Sequence, residues 1–286
     1  MATLRDVKRK ISSVTSTQTI TRTMSMVSAS KLRRAQEQLN RVKAYALQMG
    51  LLLRRVAATL PDEAHPLFGQ REEVKNVLLF PIASDRGLCG AFNMNIASTV
   101  ERFIQENRDK YENIGIYPVG RRIRDHFRRR KYGLTREMVD VKALDTATVD
   151  TLAGELMDLY LDGTFDKVYL IYNHFISAAK QEVLFEEFLP ISVAKTDDTV
   201  DYLWEPSTQE IIDELAPRYV WTKIYYAIAE SQTSEYAARK MAMENATNNS
   251  GEMIEYLTLV YNKTRQQTIT NEMMDIVGGA EALQGE

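Results

Sequence analysis

Residues 3–60 contain no proline and a single glycine, Gly50. Proline and glycine are the residues that break helices, so nothing in this stretch interrupts one. At 1.5 Å per residue it would make a rod of roughly 87 Å, which an ordinary globule cannot bury. Thr3 followed by Asp6 has the spacing of a capping box, and Pro61 marks the stop. One alternating three/four register runs the whole length. It begins apolar at Leu4, Val7, Ile11 and Val14, then turns polar at Gln18, Thr21, Ser25 and Ser28. It becomes apolar again through Leu32, Ala35, Leu39, Val42, Ala46, Met49, Leu53, Val56 and Leu60. Such a stripe is a coiled-coil seam. Its polar level is either a register-setting, hydrated stretch or a mechanical contact zone.

A seam needs a second helix. From Arg218 to Gln284 the chain again lacks proline, and the helix can start near Thr208 with Pro217 as a kink or restart. Its periodicity reads Ile224, Ile228, Ala238, Ala242, Met253, Leu257, Val260, Thr264, Gln267, Asn271 and Met274. Residues 1–60 carry a formal charge of +10 and residues 208–286 one of −6. Opposite charge and two seams in one chain indicate an antiparallel pair. Paired residue numbers would sum to roughly 268–278, which sets Gln18–Ser28 against Asn245–Gly251. Both helices are polar at that level. The C-terminus is then left without a partner inside the chain. Its Met273, Met274, Ile276, Val277 and Leu283 need a sleeve, unless Gly278 and Gly279 mark a frayed end.

Between the rods, strand-like and helix-like runs alternate. Val77–Phe80, Ile114–Val119, Met138–Val141, Lys167–Ile176 and Glu182–Ile191 read as strands. Asn93–Asn107, Arg121–Lys131 and Thr148–Leu161 read as helices. Alternation of this kind gives a parallel α/β layer, here with an antiparallel last pair. The expected fold is therefore α/β: a long antiparallel two-helix coiled coil from the terminal segments, with an inserted Rossmann-like domain. The expected divisions are residues 1–60, 70–200 and 208–286.

Candidate chemistry is sparse. The turn Ser84-Asp85-Arg86-Gly87-Leu88-Cys89-Gly90 joins a strand to a helix, where glycines can cradle phosphate. It is not GxGxxG and no Walker lysine follows, so a tight structural turn is the stronger reading. Arg86 could lower the pKa of Cys89, but no second cysteine or nearby histidine motif supports catalysis. With one cysteine there is no intramolecular disulfide, and His65, His126 and His174 lack ligand spacing. The patch Arg121, Arg122, Arg124, Arg128, Arg129, Arg130 and Lys131 is either a solvated face, a site for an acidic partner, or an RNA surface. Glu186-Glu187 and Asp197-Asp198 have no evident acid–base partner. His174 reads as packed or surface. A net charge of −3 argues against bulk nucleic-acid binding, and no apolar run reaches membrane-span length. The N-terminus lacks a secretory pattern, so a cytosolic compartment is expected. A structural or mechanical protein fits better than an enzyme. A coiled-coil scaffold or nucleic-acid rod and a nucleotide-dependent enzyme remain the alternatives.

Three stretches carry a resemblance. TLRDVKRKISSVTSTQTITRTMSMVSASKLRRAQ, SDRGLCGAFN and SEYAARKMAMENATNNSGEMIEYLTLVYNKTRQQTITNEMMDIVGGAEAL stand in that order. They resemble the N-terminal helix, central motif and C-terminal signature of gamma subunits of the bacterial-type rotary F-type ATP synthase. The resemblance implies a central rotor shaft that couples proton flow to ATP synthesis or hydrolysis and is itself non-catalytic. It implies alpha and beta subunits of the catalytic head, the epsilon subunit and the c-subunit ring as partners, with no nucleic acid, cofactor or metal. It places the chain peripherally at the cytoplasmic face of the bacterial inner membrane. By the same resemblance, partner contacts fall on Arg22 and Met24, on Lys31, Arg33 and Arg34, and on Arg239. They continue on the polar run Gln266, Gln267 and Thr268, and on the tip residues Met273, Met274, Ile276 and Val277.

Overall fold

The computed structural model describes residues 3–59, 65–69, 71–141, 146–192 and 204–284, with backbone alone at 279 and 281–284. The expected stop at Pro61, the Asp197-Asp198 pair and the Leu283 side chain lie outside what is described. The elements follow in the order α1 (Leu4–Ala58), β1 (Asn76–Pro81), α2 (Phe92–Glu106), β2 (Asn113–Ile116) and α3 (Arg121–Arg129). Then come α4 (Thr146–Leu161), β3 (Lys167–Phe175), β4 (Gln181–Leu189) and α5 (Thr208–Gln284). They fall into two compact units, residues 1–27 with 240–286 and residues 28–239. No helix among the described residues is long and apolar enough to cross a membrane.

Both long helices begin with reciprocal caps. Thr3 Oγ1 accepts from Asp6 N at 3.3 Å, and the Asp6 carboxylate accepts from Thr3 N at 3.2 Å. At α5, Ser207 Oγ accepts from Glu210 N at 3.2 Å and donates to the Glu210 carboxylate at 2.9 Å. Each arrangement satisfies amide donors that the first turn leaves without helical acceptors. Pro217 lies inside α5, which continues through it.

In the first unit the early part of α1 packs on the late part of α5. Every seam position read from Leu4 to Ser25 is buried or half-buried. On α5 the register differs from the sequence reading. Ile254, Leu257, Val260, Thr264 and Thr268 turn inward, whereas Met253, Gln267, Asn271 and Met274 are exposed. The polar level pairs as expected. The Thr21 and Thr247 hydroxyls are 2.8 Å apart, Gln18 Nε2 donates to Thr247 O at 3.4 Å, and Ser25 Oγ reaches Glu244 at 3.5 Å. A Cβ on Gly251 would stand 3.1 Å from Gln18, so the helices approach closely there.

In the second unit the sheet has the order β2-β1-β3-β4. β1 pairs parallel with β2 and β3, and β3 pairs antiparallel with β4. β1 is buried on both faces, which is why it reads as a continuous apolar run. Leu78 and Phe80 point to one face, packed with Met49, Leu53 and Val56 of α1, with α4, and with Ile212–Ile228 of α5. Leu79 points to the other, against Ile96 and Val100 of α2 and Ile123 and Phe127 of α3. The strand expected at Met138–Val141 is not formed. Met138 makes an isolated bridge to Val119, and Asp140 turns into the left-handed region at φ +57, which ends any extended run.

Candidate functional site

The first unit holds Arg22, Met24, Gln266, Gln267, Thr268, Met273, Met274, Ile276 and Val277. Arg22 is exposed and Met24 half-buried on α1. Gln266 and Gln267 are exposed, while Thr268 is half-buried and donates to Thr264 O at 3.0 Å. Past Thr268 the described side chains of α5 face solvent, with Met274 67% and Ile276 71% exposed. Sequence reasoning missed that further up this unit both helices also carry apolar side chains away from the seam. Ile20, Met26 and Val27 do so on α1, and Tyr256 and Leu259 on α5, all at least half exposed. The available signal was an apolar residue standing off the three/four register of a charged helix. Bare apolar side chains on two faces and an end call for a surrounding surface.

In the second unit Arg33 and Arg34 are exposed, with Arg33 only 3.4 Å from Glu37 one turn on. Lys31 lies over the Tyr236 ring, 5.7 Å from its centroid. Arg239 differs from the other basic candidates, because it is buried at 8% exposure. Its Nη1 pairs with Glu235 at 2.7 Å, and its Nη2 and Nε donate to Gly87 O at 3.1 and 3.3 Å. Burial raises the Glu235 pKa, and the Arg239 charge opposes the rise. The guanidinium is therefore an internal fastening rather than an outward charge. The turn it reaches is organised further by Ser84. Its amide and hydroxyl both donate to Asn93 Oδ1, and its Oγ also reaches Arg86 O at 2.6 Å. Glu235, Tyr236, Ser84 and Asn93 were missed from sequence. The spacing of Glu235 and Arg239, one helical turn apart, was the visible clue.

The other candidate groups are occupied structurally. Cys89 is buried, and desolvation raises its pKa despite the hydrogen bond from Ser84 and the Arg239 charge. The expected lowering by Arg86 does not occur. Most of the basic patch is charge-compensated. Arg121 pairs with Asp140, Arg124 with Asp125, Arg128 with Glu137 and Arg130 with Glu101. Glu186 and Glu187 bind Lys223 and Lys167. His174 stands 3.0 Å from buried Glu230, which also accepts from Phe175 N at 2.6 Å.

A family model described as ATP synthase matches residues 3–283. The chain is 39% identical over 290 residues to the ATP synthase gamma chain of Syntrophus aciditrophicus (strain SB), covering 99% of each. It is similar to a solved chain from the central stalk and c-ring of Tetrahymena thermophila mitochondrial ATP synthase. That match has 27% identity and a TM-score of 0.60, covering 79% of this chain and 99% of that one. A chain from the Euglena gracilis mitochondrial ATP synthase shares the fold at 20% identity and a TM-score of 0.70, covering 98% of this chain and 94% of that one.

Proposed function

The chain belongs to the ATP synthase gamma-chain family, and from that membership we propose that it is the central rotor shaft of a proton-coupled rotary ATP synthase. It is a stalk subunit and not the catalytic one. The observation that carries the reading is the two-helix unit with apolar side chains facing outward and an α5 end whose described side chains past Thr268 all face solvent. A shaft inside a ring of alpha and beta subunits would cover both. The first helix and the last (1–60 and 208–286) act as the shaft, and the layer at 70–200 as the foot, held by the epsilon subunit and the c-subunit ring. The complex sits at a bacterial inner membrane, with this chain on its cytoplasmic face. Arg22, Met24, Lys31, Arg33, Arg34, Gln266, Gln267 and Thr268 are assigned as contacts that time rotation. Exposed ion pairs contribute only about 0–1 kcal/mol each, too little to hold the assembly. Met273, Met274, Ile276 and Val277 are assigned to an apolar bearing, because non-directional contact tolerates many angles. The experiment is reconstitution with alpha, beta and epsilon subunits and c-ring vesicles. Proton-driven ATP synthesis that requires this chain is expected, and synthesis unaffected by its omission would reject the reading.

A further inference from the structure

The turn between β1 and α2 holds Leu88 at φ +64 and Gly90 at φ +59. A leucine in the left-handed region crowds its own backbone, so surrounding structure must impose the conformation. Part of that structure is local, from Ser84 and Asn93. A second part comes from the start of α3, where Arg121 N donates to Asp85 Oδ1 at 2.8 Å and Arg122 N to Ser84 O at 3.1 Å, and a third from α5. Among the described residues, Gly87 O accepts from Arg239 alone, and Arg239 Nη2 also lies 3.4 Å from Arg86 O. Glu235 holds the opposite edge of the guanidinium at 2.7 Å. A planar fork with several donors can span two carbonyls and a carboxylate at once, which a lysine ammonium cannot do with the same geometry. α5 meets the layer through a broad apolar contact, which is non-directional. It also meets it through directed bonds near the strands, from Ser231 Oγ to Ile82 O at 3.2 Å, from Ser234 Oγ to Asn173 O at 3.1 Å and from Phe175 N to Glu230 at 2.6 Å. Arg239 extends this directed set to the β1–α2 turn. Hydrogen bonds with fixed directions resist sliding along or turning about the helix.

We propose that Arg239 is a positioning residue for coupling, whose guanidinium locks the Arg86–Gly87 turn to α5 so that helix and α/β layer keep one angular register. The proposal rests on the shaft reading, but its first consequence can be read on the chain alone. Cys89, the sole cysteine, sits in the same turn and is 2% exposed. It therefore reports whether the turn opens. Labelling of the full chain by N-ethylmaleimide should accelerate about tenfold in Arg239→Gln, as expected when a charge-assisted hydrogen-bond set is lost from a locally opening segment. Arg239→Lys should protect Cys89 less well than arginine, and Arg102→Gln, at an exposed position of α2, should label at the parent rate. In the reconstituted complex, Arg239→Gln should lower protons pumped per ATP hydrolysed while hydrolysis continues. Unchanged Cys89 labelling would overturn the proposal, as would faster labelling with an unchanged pumping-to-hydrolysis ratio. If Arg239→Gln shows no cooperative melt, Glu235→Gln keeps the guanidinium but frees its orienting edge, and is read by the same two outcomes. Failure of the parent chain to support any coupled activity would reject the shaft reading, while the labelling result on the isolated chain would still stand.

Discussion

At the scale of single residues, burial decides against neighbouring charge. Cys89 has an arginine three positions away in sequence, yet desolvation dominates and pushes its thiol above the ordinary value of 9.0. Native Cys89 should therefore alkylate slowly, with a rate still rising above pH 9, and should react at the free-thiol rate in denaturant. Fast native labelling at neutral pH would show the site to be open. Asp166 is the opposite case. It is buried, which by itself raises a carboxyl pKa. Amides of Asn76 and Lys75 and the Arg71 guanidinium all donate to it, at 2.7–2.8 Å, and these bonds bring its pKa below 3.8. A depressed carboxylate stabilises the fold fully above its unfolded pKa. That contribution declines below about pH 3.8 and is gone once pH has fallen through the folded value. Asp166→Asn should thus lower the melting temperature at pH 7 and flatten the acid limb of a melting-temperature profile. Parallel acid limbs for the two proteins would show that the carboxylate contributes nothing.

At the scale of elements, the α1 seam was fully legible, because a single three/four register runs through one uninterrupted helix. Every position from Leu4 to Val56 that it names is buried or half-buried. The α5 seam was legible only in part. Met253 and Met274 are apolar, but they stand off the inward face. Their hydrophobicity serves something other than the helix pair, and composition alone could not separate the two uses. The polar level follows the same logic. The Thr21 and Thr247 hydroxyls meet across the helices, 2.8 Å apart. Each hydroxyl also lies within hydrogen-bonding distance of a carbonyl of its own helix, at 3.0 Å for Thr21 and 2.7 Å for Thr247. Replacing both partners of a buried hydrogen bond by isosteric apolar groups is neutral to stabilising. The double variant Thr21→Val/Thr247→Val should raise stability by about 1 kcal/mol, or about 2–4 °C. Helical circular dichroism against temperature measures it. A lowered midpoint would show that the hydroxyl pair is needed for stability.

At the scale of the whole molecule, the α5 end past Thr268 should be dispensable for folding and needed for assembly. Removing Asp275–Glu286 deletes about three helical turns, and the described side chains among them touch no partner helix. The truncated chain should melt at the parent temperature, while the reconstituted complex should dissociate more readily and retain some synthesis. A lower melting point for the isolated chain would show that the tip packs internally, and the bearing assignment would fail.

Local periodicity by itself determined the two long helices, the alternating layer between them, the antiparallel last strand pair and the polar level of the seam. Each is set by residues a turn or a pleat apart, so a linear reading captures it. Tertiary structure decided what depends on partners far along the chain. The sequence shows that Glu235 and Arg239 share a helix face, but not that the face points inward to carbonyls some 150 positions earlier. It shows a basic run in α3, but not the acids from other elements that neutralise it. Burial converts Arg239 from a surface charge into a fastening, while Arg121, Arg128 and Arg130 stay exposed and gain acid partners only through the fold. Both outcomes are properties of packing, which no local period encodes.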